Sequence, residues 1–147
     1  MKSSEFIVEL FDANTAFPIE WVEKPGVSEA WAEDSMGRDI QITFTDFGDR
    51  IVIIEFSRGG SFDLTSSGEA GKVFGTVIAA IGAYCAKHAP TYILFSAKES
   101  SRINLYNKMT QRISTGYKLL PPDQYPRSIH QYLKHIGNSH PYVLRRA

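Results

Sequence analysis

The stretch RDIQITFTDFGDRIVIIEF, residues 38–56, constrains the fold more than any other part of the chain. In its first half Ile40, Ile42 and Phe44 alternate with polar residues, which predicts a strand with one buried face. A Phe-Gly-Asp turn follows, and the run IVIIEF returns as the second strand of a hairpin. Because that run is continuously apolar, we expect it to lie inside a sheet with both faces covered.

The segments after this hairpin predict a crossover connection. Apolar residues between 73 and 85 fall at helical spacing, and TYILFSA at residues 91–97 indicates another buried strand. A helix that links two strands of one sheet lets them run in the same direction. We therefore expect residues 51–56 and 91–96 to lie parallel or splayed.

The other predicted elements are shorter. Strands are expected at residues 6–12, 19–22, 117–120 and 141–146, helices at 100–114 and 128–136, and a weakly helical or irregular piece at 27–34. Together they predict an α/β (α+β) fold with a mixed, mostly antiparallel central sheet flanked by helices. A chain of 147 residues suits a single domain, here residues 1–147.

The bulk composition argues against a membrane protein or a secreted one. No window approaches the roughly 18 uninterrupted apolar residues of a membrane span. The start MKSSEFIVELFD carries acids within its apolar run, unlike a signal peptide. The single cysteine, Cys85, excludes a disulfide within the chain and fits a reducing compartment. We therefore expect a cytoplasmic protein that does not bind membranes.

Charge is divided unevenly, although the net charge is zero. Residues 1–60 hold 5 Lys and Arg against 12 Asp and Glu, a balance of −7, whereas residues 98–147 hold 9 against 2, a balance of +7. Tyrosines are interleaved with the cations of the second range, and such a surface can bind nucleic acid. No nucleic-acid-binding motif accompanies it. The alternatives are a solvated basic face and attraction between the two halves or to a partner chain.

The histidines do not predict a metal site. His130 and His135 are five residues apart on a short predicted helix, which is a poor spacing for ligands on one face. With His88 and His140 they form no recognised ligand pattern. We expect surface histidines and no bound metal.

Three short motifs can be compared with a known family. TSSGEA at residues 65–70 stands at a helix start after the hairpin, Leu105 and Tyr106 lie in the next helix, and Gly-Tyr at 116–117 opens a strand. With the order of elements over roughly residues 38–120, they resemble the GNAT-type N-acetyltransferase fold. The family's loop reads Gln/Arg-x-x-Gly-x-Gly/Ala, so Thr65 departs from its first position. The whole pattern is also similar to small GNAT-like proteins of bacteriophages.

The resemblance implies an acyl-CoA-dependent N-acyltransferase that acts on an unknown amine, with acetyl-CoA as the acyl donor. Backbone N–H groups around Gly68, Ala70 and Gly71, in the cofactor-binding loop that begins at Thr65, would hold the pyrophosphate of acetyl-CoA at the positive end of the helix. The setting would be the cytoplasm of a bacterial or phage-infected cell.

The resemblance also implies two catalytic side chains. Glu55, which interrupts the run IVIIEF, stands where the family often has a glutamate that deprotonates the amine. Tyr106 stands where the family has a tyrosine that protonates the departing CoA thiolate. The alternatives are an exposed or ion-paired carboxylate near a strand end for Glu55, and a core tyrosine on an amphipathic helix for Tyr106.

Two charges complicate the assignment of a phosphate loop. Glu69, in the first helical turn, would itself be stabilised by the helix dipole and would repel a pyrophosphate. Arg102 falls on the core face of its predicted helix and needs a partner. It either pairs with Glu69 across the two helix starts or faces the ligand phosphates.

A second hypothesis follows from these departures. Thr65 in place of Gln or Arg, and Glu69 within the loop, favour a catalytically inactive GNAT-like protein. Such a protein would use the scaffold to bind a protein or nucleic-acid partner in a phage context, because a fold alone does not establish an activity.

Overall fold

The computed structural model describes residues 16–58, 70–97, 107, 110–111, 116–136 and 140–147. Its strands are β1 Glu20–Lys24, β2 Val27–Glu33, β3 Asp39–Gly48, β4 Ile51–Arg58, β5 Tyr92–Ala97, β6 Tyr117–Leu119 and β7 His140–Arg146. Its helices are α1 Ala70–His88 and α2 Arg127–Ile136, with a short 3-10 helix at Pro122–Gln124 before α2.

All seven strands belong to one sheet, in the order β1-β2-β3-β4-β5-β7-β6. β4 pairs with β5 in parallel, while the pairs β1–β2, β2–β3, β5–β7 and β6–β7 are antiparallel. The predicted α+β class with a mixed, mostly antiparallel sheet is therefore confirmed. The expected parallel relation of the two strands joined by α1 is also confirmed.

The central hairpin follows the sequence pattern closely. Ile40, Ile42 and Phe44 are fully buried along β3, and the four residues Ile51–Ile54 of β4 are buried without alternation. The turn between the strands holds Gly48 at φ 89°, a conformation that glycine adopts without strain. β4 lies between β3 and β5, so its apolar run has the interior position that was predicted.

The prediction of a weakly helical or irregular piece at residues 27–34 is wrong, because residues 27–33 form β2. Ser28, Ala30 and Ala32 alternate along it as the buried residues. Ala and Glu favour helix as isolated residues, but β2 is hydrogen-bonded to β1 on one side and β3 on the other. Tertiary pairing here outweighs local propensity.

Contacts divide the chain into two compact units, and the first consists of residues 1–45 and 55–89. Its helix α1 presents a buried stripe that includes Val73, Val77, Ile81 and Tyr84, at the spacing of one helix face. The Tyr84 ring stacks on Phe44 of β3, with centroids 4.4 Å apart and planes 6° from parallel. This stripe confirms the predicted amphipathic helix.

The second unit consists of residues 46–54 and 90–147. Its core joins α2 to three strands: Ile129 packs with Ile53 of β4, Leu94 of β5 and Val143 of β7. Tyr117 makes a further contact within this unit: its buried hydroxyl donates to the Pro90 carbonyl at 2.6 Å. The expectation of one domain over residues 1–147 stays a prediction.

Two predicted elements fall wholly or partly outside the described residues. The strand at residues 6–12 lies outside them. Of the helix at 100–114, the structure describes Asn107, Thr110 and Gln111, all in helical conformation. Thr110 is buried, and its hydroxyl donates to the Asn107 carbonyl at 2.9 Å.

Candidate functional site

The start of α1 is the part of the predicted site that the structure describes best. Ala70 is the first described residue of the helix, and Gly71 follows it. No atom of the described residues would lie within 4 Å of a Cβ added at Gly71. Thr65, Gly68, Arg102 and Tyr106 lie outside the described residues, as does the predicted Glu69–Arg102 pair.

A segment before β1 is fastened to the first turns of α1. The backbone N–H of Phe17 donates to Thr76 Oγ1 at 2.8 Å, and the same hydroxyl donates to the Lys72 carbonyl at 2.7 Å. The ammonium of Lys72 lies 4.6 Å from the centroid of the Phe17 ring. Thr76 is completely buried, so one side chain joins two segments far apart in sequence.

The first turn of α1 has a positive character. The N–H groups of a first helical turn have no partner within the helix and carry the positive end of its dipole. Among the described residues of that turn there is no acid, and Lys72 adds a full positive charge. The arrangement suits an anionic group.

Glu55 lies on β4 between two buried residues, Ile54 and Phe56, but its own side chain is exposed. Alternation along the strand places it on the side that also carries Ile53. Ile53 is buried, so that side of β4 changes from covered to open between these two residues. The carboxylate is therefore accessible to solutes rather than enclosed among apolar side chains.

A network at the end of β1 has no counterpart in the sequence motifs. The Ser28 hydroxyl donates to Glu23 Oε2 at 2.6 Å, and Lys87 Nζ lies 3.6 Å from Glu23 Oε1. The Ser28 hydrogen bond lowers the pKa of Glu23 below its ordinary value, desolvation opposes this, and the charges of Lys87 and His88 reinforce it. Sequence analysis missed the network because its members come from β1, β2 and the last turn of α1.

Aromatic rings continue from this network toward the core of the first unit. His88 stacks on Tyr84 with centroids 4.3 Å apart, and Tyr84 stacks on Phe44. Trp21 of β1 lies against the same Phe44 at 5.6 Å. The four-residue spacing of Tyr84 and His88, which places both on one helix face, was the only sequence signal for this group of stacked rings.

Two cations and a tyrosine form a row across three strands of the second unit. Tyr92 of β5 lies directly opposite Arg145 of β7, and Arg145 lies directly opposite Lys118 of β6. The two cations are exposed, and neither takes part in the ion pairs found among the described residues. Like charges directly opposite each other in a sheet are destabilising unless an anion lies near them.

The one buried acid of the described chain has a structural explanation. Asp34 follows β2, and its Oδ1 accepts the N–H groups of Met36 and Arg38, both at 2.9 Å. The Arg38 guanidinium lies 3.8 Å from Oδ2. These contacts satisfy the carboxylate within its own loop, so Asp34 serves the β2–β3 turn.

Two further findings limit the kinds of site present in the described part of the chain. No group of three or more His, Cys, Asp or Glu side chains there is placed to hold a metal ion. Burial raises the pKa of Tyr125 and of Tyr142 above the ordinary phenol value, so both stay protonated at neutral pH.

Among the helices of the same described residues, none has the length and apolar character needed to cross a membrane. Comparison with known proteins finds no matching family model, no matching curated protein and no matching solved structure.

Proposed function

We propose that the protein is an acyl-CoA-dependent N-acyltransferase with a GNAT-like fold. The observation that carries the proposal is the parallel β4–β5 pair joined by α1, with Glu55 as the exposed residue within the buried run of β4. A hairpin, a crossover helix and a parallel return strand are the elements that the family resemblance requires in this order.

The proposed reaction is the transfer of an acetyl group from acetyl-CoA to an amine. The amine nitrogen attacks the thioester carbonyl carbon, a C–N bond forms, the C–S bond breaks, and CoA leaves as a thiolate. Glu55 accepts the proton that the amine loses, and Tyr106 donates a proton to the thiolate. The exposed position of Glu55 allows an amine to approach it without any change in β4.

The described residues at the start of α1 fit the phosphates of acetyl-CoA. The first-turn N–H groups, the space that the described residues leave at Gly71 and the charge of Lys72 all favour an anion there. The Phe17 N–H donates to Thr76 Oγ1 at 2.8 Å, so a neighbouring segment is held against the first two turns of the helix.

Ligand binding tests the proposal directly. At a concentration 100 times the Kd, acetyl-CoA should raise the free energy of unfolding by about 2.7 kcal/mol, visible as a higher melting temperature. Inorganic triphosphate is the matched control, because it carries phosphate charge without a thioester or adenosine. An equal shift with triphosphate would indicate a site for phosphate alone, and no shift at millimolar acetyl-CoA would refute the proposal.

Turnover tests the role of Glu55. In an assay of CoA release with a panel of amines, Glu55→Gln should lower kcat while leaving acetyl-CoA binding unchanged. Glu33→Gln is the matched control, because Glu33 is also an exposed glutamate on a strand, at the end of β2. Equal kcat in the two variants would mean that Glu55 is not the base.

A second candidate function is the binding of single-stranded nucleic acid by an inactive GNAT-like protein. The row Lys118, Arg145 and Tyr92 favours it, because the two cations have the spacing of neighbours across a ladder and an aromatic ring lies beside them. Phosphates neutralise such cations, and a base can stack on the part of the half-buried Tyr92 ring that does not pack against the core of the unit.

Fluorescence anisotropy with a labelled single-stranded oligonucleotide tests this second function. Lys118→Gln should weaken binding and reduce the slope of log K against log salt by about 0.7, the value for one lost phosphate contact on a single strand. Lys87→Gln is the control, since Lys87 already pairs with Glu23 in the other unit. A protein that binds acetyl-CoA but not the oligonucleotide would support the enzyme and exclude the nucleic-acid binder.

A further inference from the structure

The strand β1 stands out because solvent reaches both of its faces. All five of its residues are exposed, whereas the first six residues of β2 beside it alternate between half-buried and buried. Trp21 and Val22 are 37% and 41% exposed, which is high for large apolar side chains in a sheet. β1 is the first strand in the sheet order, and among the described strands its one neighbour is β2.

The register of the β1–β2 hairpin shows which backbone groups of β1 point outward. Lys24 lies opposite Val27 across a two-residue turn in which Gly26 has φ 75°. Such a turn closes with a hydrogen bond between the residues on either side of it. Hydrogen-bonded and non-bonded pairs alternate along an antiparallel ladder, so Trp21 and Glu23 direct their N–H and C=O groups away from β2.

We propose that this edge pairs with the same edge of a second copy of the chain, antiparallel and with a two-fold axis at Val22. Trp21 of each copy then lies opposite Glu23 of the other. Both residues have outward N–H and C=O groups, so each such pair exchanges two backbone hydrogen bonds. The contact uses the same patch on both copies and closes after two, as in most homodimers.

The charges of β1 select this register. With the axis at Val22, Glu20 of each copy faces Lys24 of the other, and opposite charges meet at both ends of the contact. An axis at Glu23 would bring two carboxylates face to face, and an axis at Trp21 would place Glu20 opposite Val22 without a charge pair. Charged residues on edge strands normally discourage association, but this pattern is complementary to itself.

The side chains agree with the backbone argument. In the paired sheet the two Val22 side chains lie opposite each other on one face, and each Trp21 covers part of the neighbouring strand on the other. Tryptophan is enriched among residues that dominate association energies. Because the strand has five residues, the contact is smaller than a standard interface, and we expect a Kd between about 1 μM and 1 mM.

Sedimentation velocity over micromolar to millimolar protein concentrations tests the dimer with a pair of complementary variants. Glu20→Lys places lysines opposite each other in a homodimer, and Lys24→Glu does the same with glutamates, so each variant alone should dimerise at least about tenfold more weakly. In an equimolar mixture of the two variants, every facing pair is again Lys with Glu, and the dimer should return. Glu33→Lys, a charge reversal at the exposed end of β2, should leave wild-type association unchanged.

Each result decides the question. A wild-type chain that stays monomeric at millimolar concentration would overturn the proposal. Slow exchange of the Trp21 and Glu23 amide protons in that monomer would mean that another segment of the same chain covers the edge. A dimer that both reversals leave unchanged uses a different surface, and a mixture that stays monomeric contradicts the register. Lys24→Glu also loses the 3.3 Å contact to Glu29, so circular dichroism of both variants must match wild type.

Discussion

Thr76→Val is the substitution whose effect the structure defines most sharply. Valine keeps the volume of threonine but removes the hydroxyl that accepts the Phe17 N–H at 2.8 Å. Lys72 loses less, because its carbonyl can still accept the helical N–H of residue 76. Phe17 is 7% exposed and Thr76 is completely buried, so water cannot easily replace the lost acceptor. The perturbation is therefore one unsatisfied buried N–H group.

The expected magnitude follows from that description. An unsatisfied buried donor costs about 1–3 kcal/mol in the free energy of unfolding. For a chain of this length that corresponds to roughly 2–4 °C in melting temperature for each kcal/mol. The local effect is larger and easier to assign, since the Phe17 amide proton should exchange about 5- to 150-fold faster if opening of this segment becomes easier by the same amount.

Hydrogen exchange followed by NMR is the decisive assay, with Thr76→Ser as the control. Serine keeps the hydroxyl and loses one methyl group, which costs about 0.8 kcal/mol by burial alone. The serine variant should therefore lose some global stability but keep slow exchange at Phe17. The reasoning fails if the Phe17 amide exchanges as slowly in Thr76→Val as in wild type, because the hydrogen bond would then not hold the segment on α1.

Three further substitutions test separate contacts. Ser28→Ala should raise the pKa of Glu23 toward its ordinary value, which carboxyl NMR titration can show. Because the native pKa is lowered, the ionised carboxylate stabilises the fold above its unfolded pKa, and this contribution is lost as the pH falls through the native pKa. The difference in unfolding free energy between variant and wild type, measured in urea, should therefore shrink in acid. Tyr117→Phe removes the donor to the Pro90 carbonyl and should lower the free energy of unfolding by about 1–3 kcal/mol in urea denaturation; an unchanged midpoint would contradict this. Gly48→Ala forces a side chain into φ 89° and should cost about 1 kcal/mol or more, whereas a neutral effect on the melting temperature would mean that the turn relaxes.

The sequence predicted the centre of the sheet because its signals there are local and strong. Alternation at Ile40, Ile42 and Phe44, followed by four adjacent buried residues, is difficult to satisfy with any structure except a half-covered strand beside an interior one. The spacing of apolar residues along α1 was equally informative. In both cases the pattern of buried residues lies within a single segment, so it can be recognised without knowing which segment packs against it.

The sequence failed where the partner is distant or the buried residues are small. β2 hides Ser28, Ala30 and Ala32, which carry little hydrophobic signal, so its strand character depends on the ladders at its two sides. The bond from Phe17 to Thr76 spans 59 positions and leaves no periodic trace. Thr65, Gly68, Arg102 and Tyr106 stay predictions, because they lie outside the described residues.

The exposure of Glu55 changes how its role has to be tested. A buried carboxylate among apolar residues would be expensive to maintain, and its presence alone would suggest a function. An exposed carboxylate costs little, so the position of Glu55 within IVIIEF does not by itself indicate a function. The informative comparison is therefore between stability and activity in Glu55→Gln. If Glu55→Gln has an unchanged unfolding free energy and a lower turnover, Glu55 takes part in the reaction. If neither quantity changes, Glu55 is not the base.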